Sequence, residues 1–154
     1  MPPAAGDDTH GPTVLATLRQ EISDVGAEVF TSRDYRPQLV RHIVLFRYRQ
    51  GVTAVERDKI SQRFRALAAT RRHDGGRYIQ SIEASAQASG EGSGKEFDLG
   101  VVVTFSSVGD RNYYVGRPVV EDARYFDGSH DEFKGFAAPF LDAAGVQIFD
   151  VLGG

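Results

Sequence analysis

Four histidines, six tyrosines and no cysteine set the chemical repertoire of this 154-residue chain. Without cysteine there is no thiolate nucleophile, no disulfide and no Cys-type metal or cluster site. His10 and His73 lie in polar stretches, and neither has a partner at metal-ligand spacing. His42 stands inside Val40-Arg41-His42-Ile43-Val44-Leu45-Phe46 and shares one face of that extended run with Val40, Val44 and Phe46. Such an imidazole is either a core histidine satisfied by one hydrogen bond or a general base at a pocket wall. His130, followed by Asp131 and Glu132, opens a helical stretch. It reads either as a surface residue of the first turn or as a second base. Tyr114 carries a hydroxyl able to donate to an enolate or oxyanion, whereas Tyr113 reads as packing. Arg117, before Pro118, is either a surface turn or a guanidinium able to grip a carboxylate or phosphate in bidentate fashion. No HExxH helix, phosphate loop, nucleophile elbow or dinucleotide fingerprint is present.

The elements that must position these groups follow from periodicity. Residues 39–48 and 97–105, rich in branched and aromatic side chains, predict strands. Weaker alternation predicts a strand over 79–88, and residues 146–152 predict a last one. Thr53 and Glu56 form a capping box for a helix with Ile60, Phe64, Leu67 and Ala68 on one side, running to Asp74-Gly75-Gly76. A short helix starts at Ser106 or Ser107 and runs through Val115. A longer one spans 130–144 with Phe133, Phe136 and Phe140 on its apolar side. The order β-α-β-β-α-β is the ferredoxin-like arrangement, an α+β fold whose four-stranded antiparallel sheet carries its helices on one face. Residues 1–38 read as an N-terminal extension, with residues 1–11 disordered. A short amphipathic helix opens near Pro12 and repeats Leu15, Leu18, Ile22 and Val25 up to Gly26. The main domain covers 39–154, and residues 90–95 read as a flexible loop.

The first and third strands do not alternate at their centres. Ile43-Val44-Leu45-Phe46 and Val101-Val102-Val103 are apolar on both faces. Helices cover one face only, so the other predicts a homodimer built by face-to-face sheets. The alternative is that the N-terminal segment folds across it.

Val40 to Phe46, Gly51-Val52-Thr53, Phe97-Asp98 with the following valines, Tyr114 with Arg117-Pro118, and His130 with Phe133 and Pro139 together resemble the stress-responsive A/B-barrel (dimeric α+β barrel) family. That family includes plant stress-induced proteins and olivetolic acid cyclase-like enzymes, which close a polyketide thioester by an aldol step without metal. The resemblance implies catalytic roles for His42, Tyr114 and His130, matched by motif position. It also sets Leu99 where such a cyclase has a third-strand histidine and Phe64 where it has a helix tyrosine. Two departures are plain. The family's His-Pro pair is Arg117-Pro118 here, and about ten extra residues, 119–129, separate that proline from His130.

The expected protein is thus a cofactor-free, polyketide cyclase-like enzyme acting on a small enolisable carbonyl compound by ring closure or isomerisation, with no metal. Its base is His42 or His130, its oxyanion donor Tyr114, and its substrate contacts Arg117, Tyr48, Phe64, Leu99 and Phe133. The alternative is a non-catalytic stress-responsive or ligand-binding dimer. A net charge of -3 argues against nucleic acid, although basic residues crowd 41–77. No apolar run is long enough for a membrane, and the composition suits the cytoplasm.

Overall fold

The structure is a computed structural model, and it describes residues 13–92 and 96–153. The disorder expected of residues 1–11, the helix start at Pro12 and part of the loop expected at 90–95 lie outside the described residues. Strands β1 (Pro37–Tyr48), β2 (Ser81–Ala86), β3 (Leu99–Ser107) and β4 (Leu141–Leu152) form one antiparallel sheet in the order β2-β3-β1-β4. Helices α3 (Ala54–Ala66), α4 (Val108–Val115) and α5 (Gly128–Ala137) pack on one of its faces. This is the ferredoxin-like fold. Two further helices, α1 (Val14–Val25) and α2 (Ala27–Phe30), precede β1.

Alternation on β1 explains which face is covered. Val40, His42, Val44, Phe46 and Tyr48 are buried, while Ile43, Leu45 and Arg47 between them are only partly so. Cross-strand neighbours continue the pattern: Val40 faces Phe105, His42 faces Val103, Val44 faces Val101 and Phe46 faces Leu99. The core therefore lies between this face and the helices. α3 contributes Ile60 and Phe64, both essentially fully buried.

The α3 capping box forms as the Thr53/Glu56 spacing predicts. Thr53→Ala is expected to cost about 1 kcal/mol, read as a lowered urea midpoint with an unchanged slope. The helix ends at Ala66, however, and not near Asp74. Residues 67–69 tighten into a 3-10 turn, and Arg71 then pairs with Arg77 around Gly75, whose φ of +90° suits glycine. The second correction concerns residues 141–144, expected as helix and found in β4. Pro139 follows the last α5 turn, lacks an N–H for a further helical bond and clashes with the preceding turn. The chain leaves through a 3-10 turn and pairs with β1 from Leu141, five residues earlier than expected.

The N-terminal segment docks on α4. The first-turn N–H groups of Val108 and Gly109, which have no helical acceptor, donate to the carbonyls of Arg36 and Tyr35 at 3.0 Å each. Ser32 O lies so close to Gly109 that a Cβ there would sit 1.6 Å from it, so this contact requires glycine. Phe30 forms a second apolar cluster with Val120 and Phe126, flanked by Leu18 and Ile22. The extra residues after Pro118 and the N-terminal helices thus shield one another. Among the described residues, this segment does not cross the open sheet face, contrary to the alternative above. No described helix is long and apolar enough to cross a membrane.

Candidate active site

Between β1, β4 and α5 lies a cavity of about 320 Å³. Five of the side chains expected at a site line it: His42, His130, Arg117, Phe64 and Phe133. Val44, Phe46, Ile148 and other apolar groups supply most of the remaining wall, and Lys134 adds an amine. An apolar chamber with a few convergent polar groups is the usual form of a small-molecule site.

His42 does not stand alone. Strand pairing sets Asp150 of β4 directly opposite it. Its Nδ1 is 2.6 Å from Asp150 Oδ1, and Arg111 Nη1 donates to Asp150 Oδ2 at 2.6 Å. Arg111 Nε donates to Asn112 Oδ1 at 2.9 Å, and Asn112 Nδ2 donates to Phe30 O at 2.9 Å. A carboxylate accepts, so Nδ1 carries the hydrogen and Nε2 is left without a partner among the described residues. Burial acts to raise the Asp150 pKa. The bonds and charges of His42 and Arg111 outweigh it and hold the carboxyl below the usual range. A second chamber of about 130 Å³, bounded by His42, Arg111, Asp150 and Ile148, is roofed by Leu18 and Phe30. The N-terminal segment therefore encloses the back of this network.

His130 is the third residue of α5, where Asp127 caps the helix by accepting from the N–H groups of Ser129 and His130. The side chain is buried, so the surface reading of this residue does not hold. Its Nδ1 lies 2.6 Å from Tyr114 O. A carbonyl only accepts, so Nδ1 again bears the hydrogen and Nε2 is the acceptor. Burial pushes the imidazole pKa down to about 3, outweighing the Tyr114 carbonyl bond. The ring is neutral at ordinary pH and too weak a base to hold a transferred proton well. Its imidazole NMR signals are expected to stay flat between about pH 5 and 8, where an unperturbed histidine titrates; a midpoint near 6.5 would contradict the burial.

Tyr114 departs from its expected role. Its ring stacks on His130, with centroids 3.8 Å apart, and meets His42 edge-on at 5.6 Å. The hydroxyl is buried in the core with no partner among the described residues, and Tyr114 does not line the cavity. Burial raises its pKa well above the ordinary phenol value. The residue therefore spaces the two imidazoles, and its hydroxyl is not presented to a guest. Tyr48 and Leu99 are also set apart from the cavity. Tyr48 lies at the far end of β1 under the Arg57 guanidinium, 4.8 Å from its ring centroid. Leu99 sits beyond Phe46 on β3, the strand away from β4. Arg117 is exposed at the rim, with its guanidinium 5.3 Å from the Phe126 ring centroid.

Asp150, Arg111 and Lys134 escaped the sequence reading. Asp150 left one trace: on β4 it shares the face of Val146, Ile148 and Leu152, an apolar side that a carboxylate interrupts. Arg111 left none, because Asp110-Arg111-Asn112 resembles an exposed turn of helix, yet all three are buried and partnered. A more open cleft of about 370 Å³ lies between the N-terminal segment and residues 72–74. Its arginines Arg33, Arg72 and Arg124 are neutralised by Asp74, Asp110 and Asp122, so it offers no comparable site. No three His, Asp or Glu side chains gather as a metal site among the described residues.

A family model described as stress responsive A/B barrel domain matches residues 40–152. Solved structures resemble the chain at low identity. An Arabidopsis thaliana protein is 18% identical with a TM-score of 0.57, over 73% of this chain and 92% of its own. The hydroxynitrile lyase of Passiflora edulis is 18% identical with a TM-score of 0.55, over 77% of this chain and 95% of its own. A protein from Thermobifida fusca, described as dimeric, ferredoxin-like and of unknown function, is 20% identical with a TM-score of 0.54, over 75% and 92%. No curated protein matches the chain by sequence.

Proposed function

Because the chain belongs to the stress responsive A/B barrel family, we propose that it is a cofactor-free enzyme in which His42 removes an acidic proton from a small enolisable carbonyl compound. The observation that carries this reading is the Arg111–Asp150–His42 chain ending at a mostly apolar cavity. Asp150 fixes the ring and its tautomer, leaving Nε2 as the proton acceptor, and Arg111 fixes Asp150. An oriented base of this kind typically contributes about 10²–10⁴-fold. The neutral His130 Nε2 accepts a hydrogen bond from a hydroxyl or enol of the guest and so orients it. Arg117 stabilises the developing oxyanion from the rim. Ring closure of a linear polyketide takes its proton from carbon and needs an oxyanion donor, whereas cleavage of a cyanohydrin, for which the Passiflora edulis neighbour is named, takes the proton from a hydroxyl, expels cyanide and shares only the base. Steady-state turnover of a linear poly-β-keto thioester tests the reading. Turnover that survives dialysis against a chelator supports it; no turnover, with no ligand entering the cavity, rejects it.

The working unit in this proposal is a homodimer. Phe149 is 68% and Val151 39% exposed on the uncovered sheet face, beside the partly covered Ile43, Leu45 and Val102. Apolar surface of this extent calls for a cover, and a second copy joined face to face supplies one. Phe149→Asp is expected to shift sedimentation from dimer to monomer; a wild type that sediments as a monomer would contradict the arrangement.

A further inference from the structure

Among the described residues Lys134 is the only primary amine on the cavity wall, an exposed side chain at the rim with no carboxylate bonded to it. The chain has three lysines, Lys59, Lys95 and Lys134. Lys134 Nζ donates to Val115 O at 3.1 Å and forms no ion pair among the described residues. That bond holds the amine beside the cavity, while its exposed side leaves the other N–H groups to solvent. Around it stand the apolar cavity wall, the Arg117 guanidinium and the neutral His130. Asp131, one helical turn earlier, is the carboxylate that acts on it. Burial and Arg117 lower the amine's pKa, and Asp131 opposes them. The bond to Val115 O uses an N–H, so it leaves the lone pair of the neutral amine available.

From this geometry we infer that Lys134 captures an aldehyde or ketone guest as an imine inside the cavity. The Nζ lone pair attacks the carbonyl carbon, a C–N bond forms, and the carbonyl oxygen departs as water with both amine hydrogens. Once its nitrogen takes a proton from solvent, the imine becomes an iminium, which withdraws electrons more strongly than the carbonyl and makes the neighbouring C–H more acidic toward His42. The inference rests on the reading of the cavity as a carbonyl site and adds a covalent step to it.

Wild-type protein treated with hexanal and sodium cyanoborohydride, then digested and mapped by mass spectrometry, tests the step. Hydride reduces the imine to a stable hexylamine. Confinement beside the guest predicts label on Lys134 at least roughly tenfold faster than on Lys59 or Lys95. Lys134→Arg loses the selective label, and His42→Ala keeps it, because capture precedes proton removal. Equal labelling of the three lysines overturns the inference. If hexan-2-one shifts the NMR signals of His42 and Phe133 while Lys134 stays unlabelled, the imine is overturned and the carbonyl site stands. If hexan-2-one shifts neither and Lys134 stays unlabelled, both are overturned.

Discussion

Asp150→Ala is expected to lose about 3–5 kcal/mol of stability and most of the turnover together. The stability term comes from the charge left behind. Arg111, whose side chain is 10% exposed, would keep its guanidinium in the interior with no counter-ion, and a broken buried pair leaves an uncompensated charge. The activity term comes from His42, whose Nδ1 would lose its only partner and whose ring could turn and change tautomer. Asp150→Asn separates the two. It conserves shape and one hydrogen bond but not the charge, so it should fold better than Asp150→Ala while turnover still falls by roughly 10²–10⁴-fold. Urea denaturation and steady-state rates on both variants read the two terms. A normal rate in Asp150→Asn would remove the carboxylate from the mechanism.

Acid should unfold this protein early, and His130 is the main cause. In the unfolded chain its imidazole takes a proton near pH 6.5, whereas in the fold burial delays this to about pH 3. Between those values the unfolded state binds more protons, so stability falls as pH falls, by about 1.4 kcal/mol per pH unit. From pH 6.5, where half of the unfolded imidazoles are already protonated, to pH 4.5 the expected loss is about 2 kcal/mol. Asp150 acts in the same direction at lower pH. Its folded pKa is depressed, so its contribution is complete above the unfolded carboxylate value and disappears as pH falls through the folded one. Urea midpoints at pH 7 and 4.5 should differ strongly in wild type and much less in His130→Gln. Equal midpoints in wild type would show that His130 is solvated.

Much of the sheet was readable because branched and aromatic side chains concentrate in residues 39–48 and 97–105, and the capping box marked α3 without tertiary information. What failed was the ends. Pro139 stopped a helix that Phe140 and Leu141 seemed to prolong, and the bridge from Arg71 to Arg77 shortened α3. The site was half legible for a similar reason. His42 announced itself as a polar residue in an apolar run. Its partner Asp150 lies 108 positions away, and only the pairing of β1 with β4 brings them together. Tyr114 could be placed beside both histidines by motif position. The direction of its hydroxyl depends on core packing around Phe105 and His130, which no local pattern encodes.

The base assignment can be measured on one carbon. In D2O, hexan-2-one exchanges its α-hydrogens slowly by itself, and deuterium incorporation is followed by NMR. Wild-type protein should accelerate that exchange, and His42→Ala, folded as judged by its urea midpoint, should slow it by roughly 10²–10⁴-fold. Equal exchange rates in the two proteins would mean that the imidazole facing the cavity takes no proton.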